Sequence, residues 1–115
     1  MGLDITPDAL ERFLAEDDGG PLVLVNLVRL RPGGEAAYER YGAAVAPLLS
    51  AVGAEPIFAG AAAGMLIGEE RWDLAAVVRY PDAQALAQLV RDPRFEATRE
   101  LRHEALEDGL LYGFR

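Results

Sequence analysis

The sequence contains no cysteine and no lysine, and it contains only one histidine and one serine. Without cysteine there is no disulfide framework and no thiolate chemistry. A single histidine does not supply the ligand set of a zinc site. The serine, Ser50, falls on the outer face of its predicted helix, so a Ser-His-Asp triad is poorly supported. Gly33-Gly34 lacks the context of a phosphate-binding loop, and the sequence therefore predicts neither a metal nor a cofactor.

Positive charge is also scarce. The 11 cationic side chains, all of them arginine, stand against 19 acidic ones, and the formal net charge is −8. Such a chain lacks the basic face that neutralises phosphates, so nucleic acid is not an expected partner. No apolar run approaches the ~20 residues of a membrane helix, and the first residues lack the basic and apolar stretches of a signal peptide. We therefore expect no membrane association and, by default, a cytoplasmic location.

An apolar run fills most of the interval between Pro21 and Pro32. A short apolar run bounded by breakers predicts a buried central strand, because a surface strand alternates with polar residues. Asn26 is the single amide in this run. A buried amide without a hydrogen-bond partner costs roughly 1–3 kcal/mol, so we expect Asn26 to meet a backbone group, a water molecule or a ligand.

The remaining periodicities complete the expected fold. Helices are predicted over 6–17, 35–52 and 83–107, the last with a break at Asp92-Pro93, and extended segments over 21–32, 55–61, 64–68, 72–80 and 110–114. This order predicts an α+β chain with the ferredoxin-like β-α-β-β-α-β pattern and an extra N-terminal helix. We expect one domain, with residues 1–20 as helix and lead-in and residues 21–115 as the ferredoxin-like α+β-barrel part.

The first strand is apolar on both of its faces, although both main helices are expected on one side of the sheet. Its two sets are Leu24, Val28 and Leu30 on one parity and Val23, Val25 and Leu27 on the other. A monomer would leave a large apolar sheet face in water, which is unusual. Pairing of two sheets across a two-fold axis would cover it, so the sequence predicts a homodimer.

Several segments together resemble a known family. They are 21–31 (PLVLVNLVRLR), 38–41 (YERY), 67–73 (IGEERWD), 78–81 (VRYP), 92–95 (DPRF) and 101–106 (LRHEAL). These blocks, in this order, resemble the family named domain of unknown function 1330, within the dimeric α+β-barrel group. The resemblance covers nearly the whole chain and implies a ferredoxin-like dimeric barrel. It implies no reaction, because that wider group includes cofactor-free monooxygenases, haem-degrading enzymes, lactone isomerases and ligand-sensing domains.

Five residues form the candidate pocket: Asn26, Tyr38, Tyr41, Trp72 and Arg102. Helical geometry turns the two tyrosines and Arg102 inward, where the tyrosines either pack in the core or line a cavity mouth beside Asn26. A buried Arg102 must be paired, either structurally, with an acid such as Glu69 or Glu70 or with a backbone carbonyl, or as an anchor for an anionic ligand. Trp72 is either a packing residue at a strand end or a stacking platform.

The weaker candidates are Arg29, Arg79 and His103. Haem-degrading members of the barrel group combine an asparagine, a tryptophan and a helical histidine, but His103 lies about 130° from the centre of the apolar arc of its helix, so haem is not expected.

Two functions remain open. The first is a small dimeric barrel that binds a small apolar or aromatic molecule between sheet and helices; the alternative is a cofactor-independent monooxygenase or isomerase-like enzyme. In a purely structural role, the polar interior groups would satisfy one another and the interior would be filled. Convergence of Asn26, Arg102 and a tyrosine on a void of a few hundred Å³ would instead indicate a ligand site.

Overall fold

The computed structural model describes residues 2–115 as an α+β fold of five helices and four strands. In chain order the elements are α1 (Pro7–Ala15), β1 (Leu22–Leu30), α2 (Glu35–Ala51), β2 (Glu55–Ala61), β3 (Leu74–Tyr80), α3 (Ala83–Arg91), α4 (Pro93–Glu96), α5 (Arg99–Ala105) and β4 (Leu106–Phe114). The predicted ferredoxin-like order and the additional N-terminal helix are confirmed.

Short-range side-chain contacts start three of the helices. The Thr6 hydroxyl accepts a hydrogen bond from the Ala9 amide at 3.1 Å and so caps α1. The Asp82 carboxylate does the same for Ala85 at 2.8 Å at the start of α3. Asp92 caps α4, and it ends α3 because the following proline cannot donate to the preceding turn. The predicted helix break at Asp92-Pro93 is therefore real.

The sheet is antiparallel throughout, with the strand order β2-β3-β1-β4. The strand β1 is central and pairs with β3 on one side and β4 on the other. Asn26 lies opposite Ala76 of β3 and Leu111 of β4. Because side chains alternate along a strand, Asn26 shares its face with Leu24 and Val28, which are buried beneath the helices.

The other face of the sheet carries the odd-numbered residues of β1. Val25 is opposite Tyr112 on β4 and Val77 on β3, and Val77 is in turn opposite Phe58 on β2. Phe58, Tyr112 and Phe114 are each more than half exposed in the single chain. This face is therefore apolar and open, and we call it the open sheet face.

Residues 64–68 and the start of β4 differ from the sequence-based expectation. Residues 64–68, predicted as extended, belong to the loop between β2 and β3, where Leu66 and Ile67 are almost fully exposed. They form no strand because β2 already ends at Ala61, which pairs with Leu74, the first residue of β3. The strand β4 begins at Leu106 rather than at 110, since it pairs with β1 as far as Leu30 across a bulge.

No helix of the described chain, residues 2–115, is long and apolar enough to cross a membrane.

The start of α2 offers a stability test, because it sets the position of the inward-facing tyrosines. A Cβ at Gly34 would collide with the backbone carbonyl oxygen of Ala105, whereas a Cβ at Gly42, inside α2, would meet nothing within 4 Å. We expect Gly34→Ala to lower the free energy of unfolding by about 1–3 kcal/mol. The matched variant Gly42→Ala should raise it by roughly 0.5–1 kcal/mol, because alanine favours a helix interior. Urea denaturation followed by circular dichroism measures both, and equal effects of the two variants would contradict the packing at Gly34.

Candidate functional site

A cavity of about 510 Å³ lies between the helix-facing side of the sheet and the elements that cover it. Residues of β1 and β4 form one wall, and residues of the five helices and of the segment before α1 form the others. Its volume falls within the roughly 300–1,000 Å³ of small-molecule pockets. Most of its lining is aliphatic or aromatic, as in Leu10, Phe13, Leu86 and Phe95.

Small residues on the sheet leave this space open. Gly109 and Gly113 of β4 lie opposite Val28 and Leu24, on the helix-facing side, where larger side chains would fill the cavity. A Cβ at Gly113 would come within 2.9 Å of the Phe13 ring. The glycines therefore let the N-terminal helix approach the sheet while keeping room beside Asn26.

Asn26 is the amide in this wall of the sheet. Its side chain lines the cavity, and no residue among 2–115 provides it with a hydrogen bond. The amide is also not fully buried, because the described chain contains no fully buried side-chain nitrogen or oxygen without a hydrogen-bond partner. The amide is consequently accessible from the cavity and available to a molecule inside it.

Tyr38 and Tyr41, one turn apart on α2, both line the cavity. Their ring centroids are 6.0 Å apart. Burial, and next the neighbouring Tyr41, raise the pKa of Tyr38 above the ordinary value of 10.0. The Tyr38 phenol is therefore protonated at neutral pH and offers a hydrogen-bond donor.

Arg102 of α5 lies in the cavity wall with all of its nitrogen groups in contact with protein. Its Nε donates to the Leu3 carbonyl oxygen at 3.0 Å, one terminal nitrogen binds the Asp4 carboxylate, and the other lies 3.5 Å from the Tyr41 hydroxyl. Its guanidinium also lies 5.5 Å from the centroid of the Tyr41 ring. The inward orientation was expected, but the acid is Asp4, and pairing with Glu69 or Glu70 is wrong because both glutamates lie in the exposed β2–β3 loop.

Asp4 is bound from outside the cavity as well. Its second carboxylate oxygen lies 2.8 Å from the Nε2 of His103 and 3.2 Å from the Nε of Arg99. Burial raises the pKa of Asp4, but hydrogen bonds from Arg102 and His103 outweigh it and hold that pKa below the ordinary 3.8. Asp4 is therefore ionised at neutral pH. His103 contacts Asp4 but does not line the cavity.

The other candidates lie elsewhere. Trp72 is half-buried, with the Arg29 guanidinium 5.1 Å from its ring centroid, and neither residue lines the cavity. Arg29 donates to the Asp108 carboxylate at 3.0 Å and to the Arg71 carbonyl oxygen at 2.8 Å. Arg79 is exposed on the open sheet face. The structure thus brings together four of the five candidate pocket residues and separates Trp72 and the three weaker candidates from them.

Sequence reasoning missed the N-terminal side of the cavity. Leu3, Asp4 and Ile5 all line it, and both apolar residues pack against the core. The alternation of apolar, acidic and apolar residues directly before the Thr6-Pro7 cap is the signal of a half-buried extended segment. Leu10 and Phe13, which formed the apolar stripe of the predicted helix, complete this side.

Chemically, the cavity offers a free amide, two phenol rings and one internally paired arginine, surrounded by apolar side chains. Within residues 2–115 there is no group of three or more histidine, cysteine, aspartate or glutamate side chains placed to hold a metal ion. This arrangement suits a molecule with a large apolar part and few hydrogen-bonding groups.

Comparison with known proteins gives a family and a fold. Residues 27–112 match the family model described as Domain of unknown function (DUF1330). The solved RPA0582 protein of unknown function from Rhodopseudomonas palustris is 32% identical, with a TM-score of 0.88 over 97% of this chain and 94% of that one. None of the curated proteins matches the sequence.

More distant structures share the fold. A dimeric protein of unknown function with a ferredoxin-like fold from Bacteroides fragilis is 18% identical, with a TM-score of 0.61 over 84% of this chain and 96% of that one. A dimeric ferredoxin-like protein of unknown function from Thermobifida fusca is 20% identical, with a TM-score of 0.60 over 85% and 92%. The ferredoxin-like fold is thereby confirmed.

The pairing of Asp4 makes stability depend on pH. A carboxylate with a lowered pKa stabilises the fold above its ordinary pKa and loses that contribution as the pH falls towards the folded value. We expect Asp4→Asn to lower the free energy of unfolding by roughly 1–3 kcal/mol at pH 7. The difference from the wild type should shrink between about pH 5 and pH 3. Glu11→Gln, which removes an exposed carboxylate of α1, is the control. Urea titrations of the wild type and both variants at pH 7 and at pH 3 measure the effect. A difference that stays constant with pH would contradict the pairing.

Proposed function

The chain belongs to the family described as Domain of unknown function (DUF1330), and from that premise we propose that this protein is a homodimer that binds a small, mainly apolar molecule in the cavity between its sheet and its helices. The family supplies the fold but no reaction, so the argument starts from the cavity itself. The observation that carries it is the accessible and unpartnered amide of Asn26 within an apolar lining.

An amide in an apolar wall favours occupancy by a polar atom. A buried amide without a partner costs roughly 1–3 kcal/mol, so a ligand that displaces water from Asn26 must replace its hydrogen bond. A bound carbonyl, hydroxyl or amide group would satisfy Asn26 directly. The Tyr38 phenol, protonated at neutral pH, offers a second hydrogen bond.

The apolar walls would bind the rest of the ligand. Leu24 and Val28 on the sheet and Leu86 and Phe95 on the helices all line the cavity. Each Å² of apolar ligand surface that leaves water contributes about 25 cal/mol. A flat ring system or a branched aliphatic body therefore fits this lining better than a sugar or a nucleotide.

The alternative, a cofactor-independent monooxygenase or isomerase-like enzyme, has no comparable support. Proton abstraction requires a base with a pKa near the working pH. The raised pKa of Tyr38 keeps its phenol protonated, and the low pKa of Asp4 makes that carboxylate a weak base that is already bound to cations. Binding without chemistry is the simpler function for these groups.

The proposed dimer uses the open sheet face. Val25, Val77, Phe58 and Tyr112 form a continuous apolar row across the four strands of one chain. Exposed apolar surface of this kind marks an interaction site. Two related structures with the same fold are dimeric, and pairing of two such faces about a two-fold axis would cover this row in both copies.

Replacement of Asn26 tests the binding site. The neutral fluorescent probe N-phenyl-1-naphthylamine has an apolar body and one N–H donor, and the wild type should bind it. We expect Asn26→Ala to weaken binding about 5- to 10-fold, the loss for one hydrogen bond of about 1–1.4 kcal/mol. Gln88→Ala, which removes an exposed amide on α3, should leave affinity unchanged.

Native mass spectrometry of freshly purified protein should show a co-purifying small molecule that Asn26→Ala has lost. Equal ligand retention by Asn26→Ala and the wild type would contradict the assignment of Asn26 to the ligand site.

The dimer is tested separately. Val25→Asp places a charge at the centre of the open sheet face, where burial against a second copy would be strongly unfavourable. Light scattering at micromolar concentration should give twice the chain mass for the wild type and the chain mass for Val25→Asp. Ala43→Asp, on the exposed side of α2, should remain dimeric. Circular dichroism establishes that each variant is folded, and a monomeric wild type would rule the dimer out.

A further inference from the structure

We infer that Asp4 determines the class of ligand that this cavity accepts: by neutralising Arg102, it makes the site unfavourable for anionic molecules. The inference rests on the proposed binding function and adds to it a residue that sets specificity. It depends on the charge of the cavity lining, on the contacts that hold the ion pair, and on the position of Asp4 in the chain.

The charges of the lining cancel. Among the residues of the described chain that line the cavity, Asp4 and Arg102 are the two that carry a formal charge, and they bind each other. Arg102 is nine-tenths buried, and its side chain has no free pair of nitrogens with which to grip a carboxylate in the bidentate manner typical of arginine. Although Arg102 is a cation in a ligand cavity, it is therefore not available as an anion anchor.

An anionic ligand would meet two unfavourable conditions. Its charge would leave water for an apolar lining, which is costly without a partner of opposite charge. It would also approach the ionised Asp4 carboxylate, which already occupies the guanidinium. A neutral ligand meets neither obstacle and retains the hydrogen bonds that Asn26 and Tyr38 offer.

Contacts outside the cavity hold Asp4 in this position. The groups that bind its carboxylate are Arg102 on the cavity side and Arg99 and His103 on the outer side. Arg99 is balanced in turn by Glu96, whose carboxylate oxygen lies 3.6 Å away. These three partners all lie on α5, so one element holds the Asp4 carboxylate from both sides.

Asp4 also lies outside the part of the chain that matches the family model, which begins at residue 27. The segment 2–5 and the helix α1 contribute one whole side of the cavity. The ferredoxin-like part of the chain supplies Asn26, the tyrosines and Arg102, whereas the N-terminal addition decides whether that arginine is free. Removal of one negative charge from this addition should therefore change ligand preference without altering the cavity walls.

The test uses two probes that differ by one anionic group. N-phenyl-1-naphthylamine is neutral, and 8-anilinonaphthalene-1-sulfonate carries the same ring system with a sulfonate. We expect the wild type to bind the neutral probe more tightly. Asp4→Asn, which keeps the shape of the side chain, should raise the affinity for the sulfonate at least 10-fold and change that for the neutral probe less than 3-fold. Asp4→Glu keeps the charge and should behave like the wild type.

Two controls separate this effect from others. Glu96→Gln removes a negative charge from α4 without touching Arg102, so it should leave the sulfonate affinity within 3-fold of that of the wild type. The double variant Asp4→Asn with Arg102→Gln should lose the gained sulfonate affinity, which assigns that gain to the guanidinium rather than to the open sheet face. Circular dichroism of each variant checks that it is folded.

The outcomes distinguish the two proposals. Unchanged sulfonate affinity in folded Asp4→Asn, with the neutral probe still bound, would overturn the role of Asp4 and leave the binding function standing. A gain that is equal in Asp4→Asn and Glu96→Gln would also overturn it, since net charge alone would then suffice. Failure of the wild type and all variants to bind either probe would overturn the binding function and this inference with it.

Discussion

The central strand β1 is apolar on both of its faces, and the arrangement of the other elements follows from that constraint. Its even-numbered residues, such as Leu24 and Val28, are covered within one chain by helices and by the N-terminal segment. Its odd-numbered residues lie on a face where Phe58, Tyr112 and Phe114 remain more than half exposed. Burial of apolar surface is the main favourable term in folding and association, so the composition of this strand accounts for the helical layer on one face and favours the proposed second copy on the other.

The cavity marks the place where the helical cover does not reach the sheet. Protein interiors are packed as densely as organic crystals, so a void of about 510 Å³ in a chain of this size reflects its particular residues. Gly109 and Gly113 remove side chains from the helix-facing side of β4, and Ala76 does nearly the same on β3 beside Asn26. The sheet therefore combines an accessible amide with missing volume around it, and these two features together support the proposed binding site.

Local periodicity predicted which side chains face the interior, but it could not predict which of them meet. The strand period placed Asn26, and the helical period turned Tyr38, Tyr41 and Arg102 inward, because both periods are fixed by backbone geometry. The partner of Arg102 was beyond that reasoning, since Asp4 lies 98 positions away in the sequence and is one of 19 acidic residues. The strand β3 begins at Leu74, so Trp72 precedes the paired residues and strand parity did not fix the position of its side chain. Trp72 packs beside Arg29 outside the cavity.

The ion pair in the cavity wall carries a stability cost that packing alone would avoid. Removing two charges from water is expensive, and apolar residues of similar volume in place of a buried pair are often neutral or stabilising. An apolar pair at positions 4 and 102 would still close this side of the cavity. What it would not provide is a polar wall with no net charge, which can attract the dipole of a neutral ligand. The structural pairing of Arg102 and a role in ligand choice are therefore compatible, because the same contact that stabilises the N-terminal segment also sets the electrostatic character of the site.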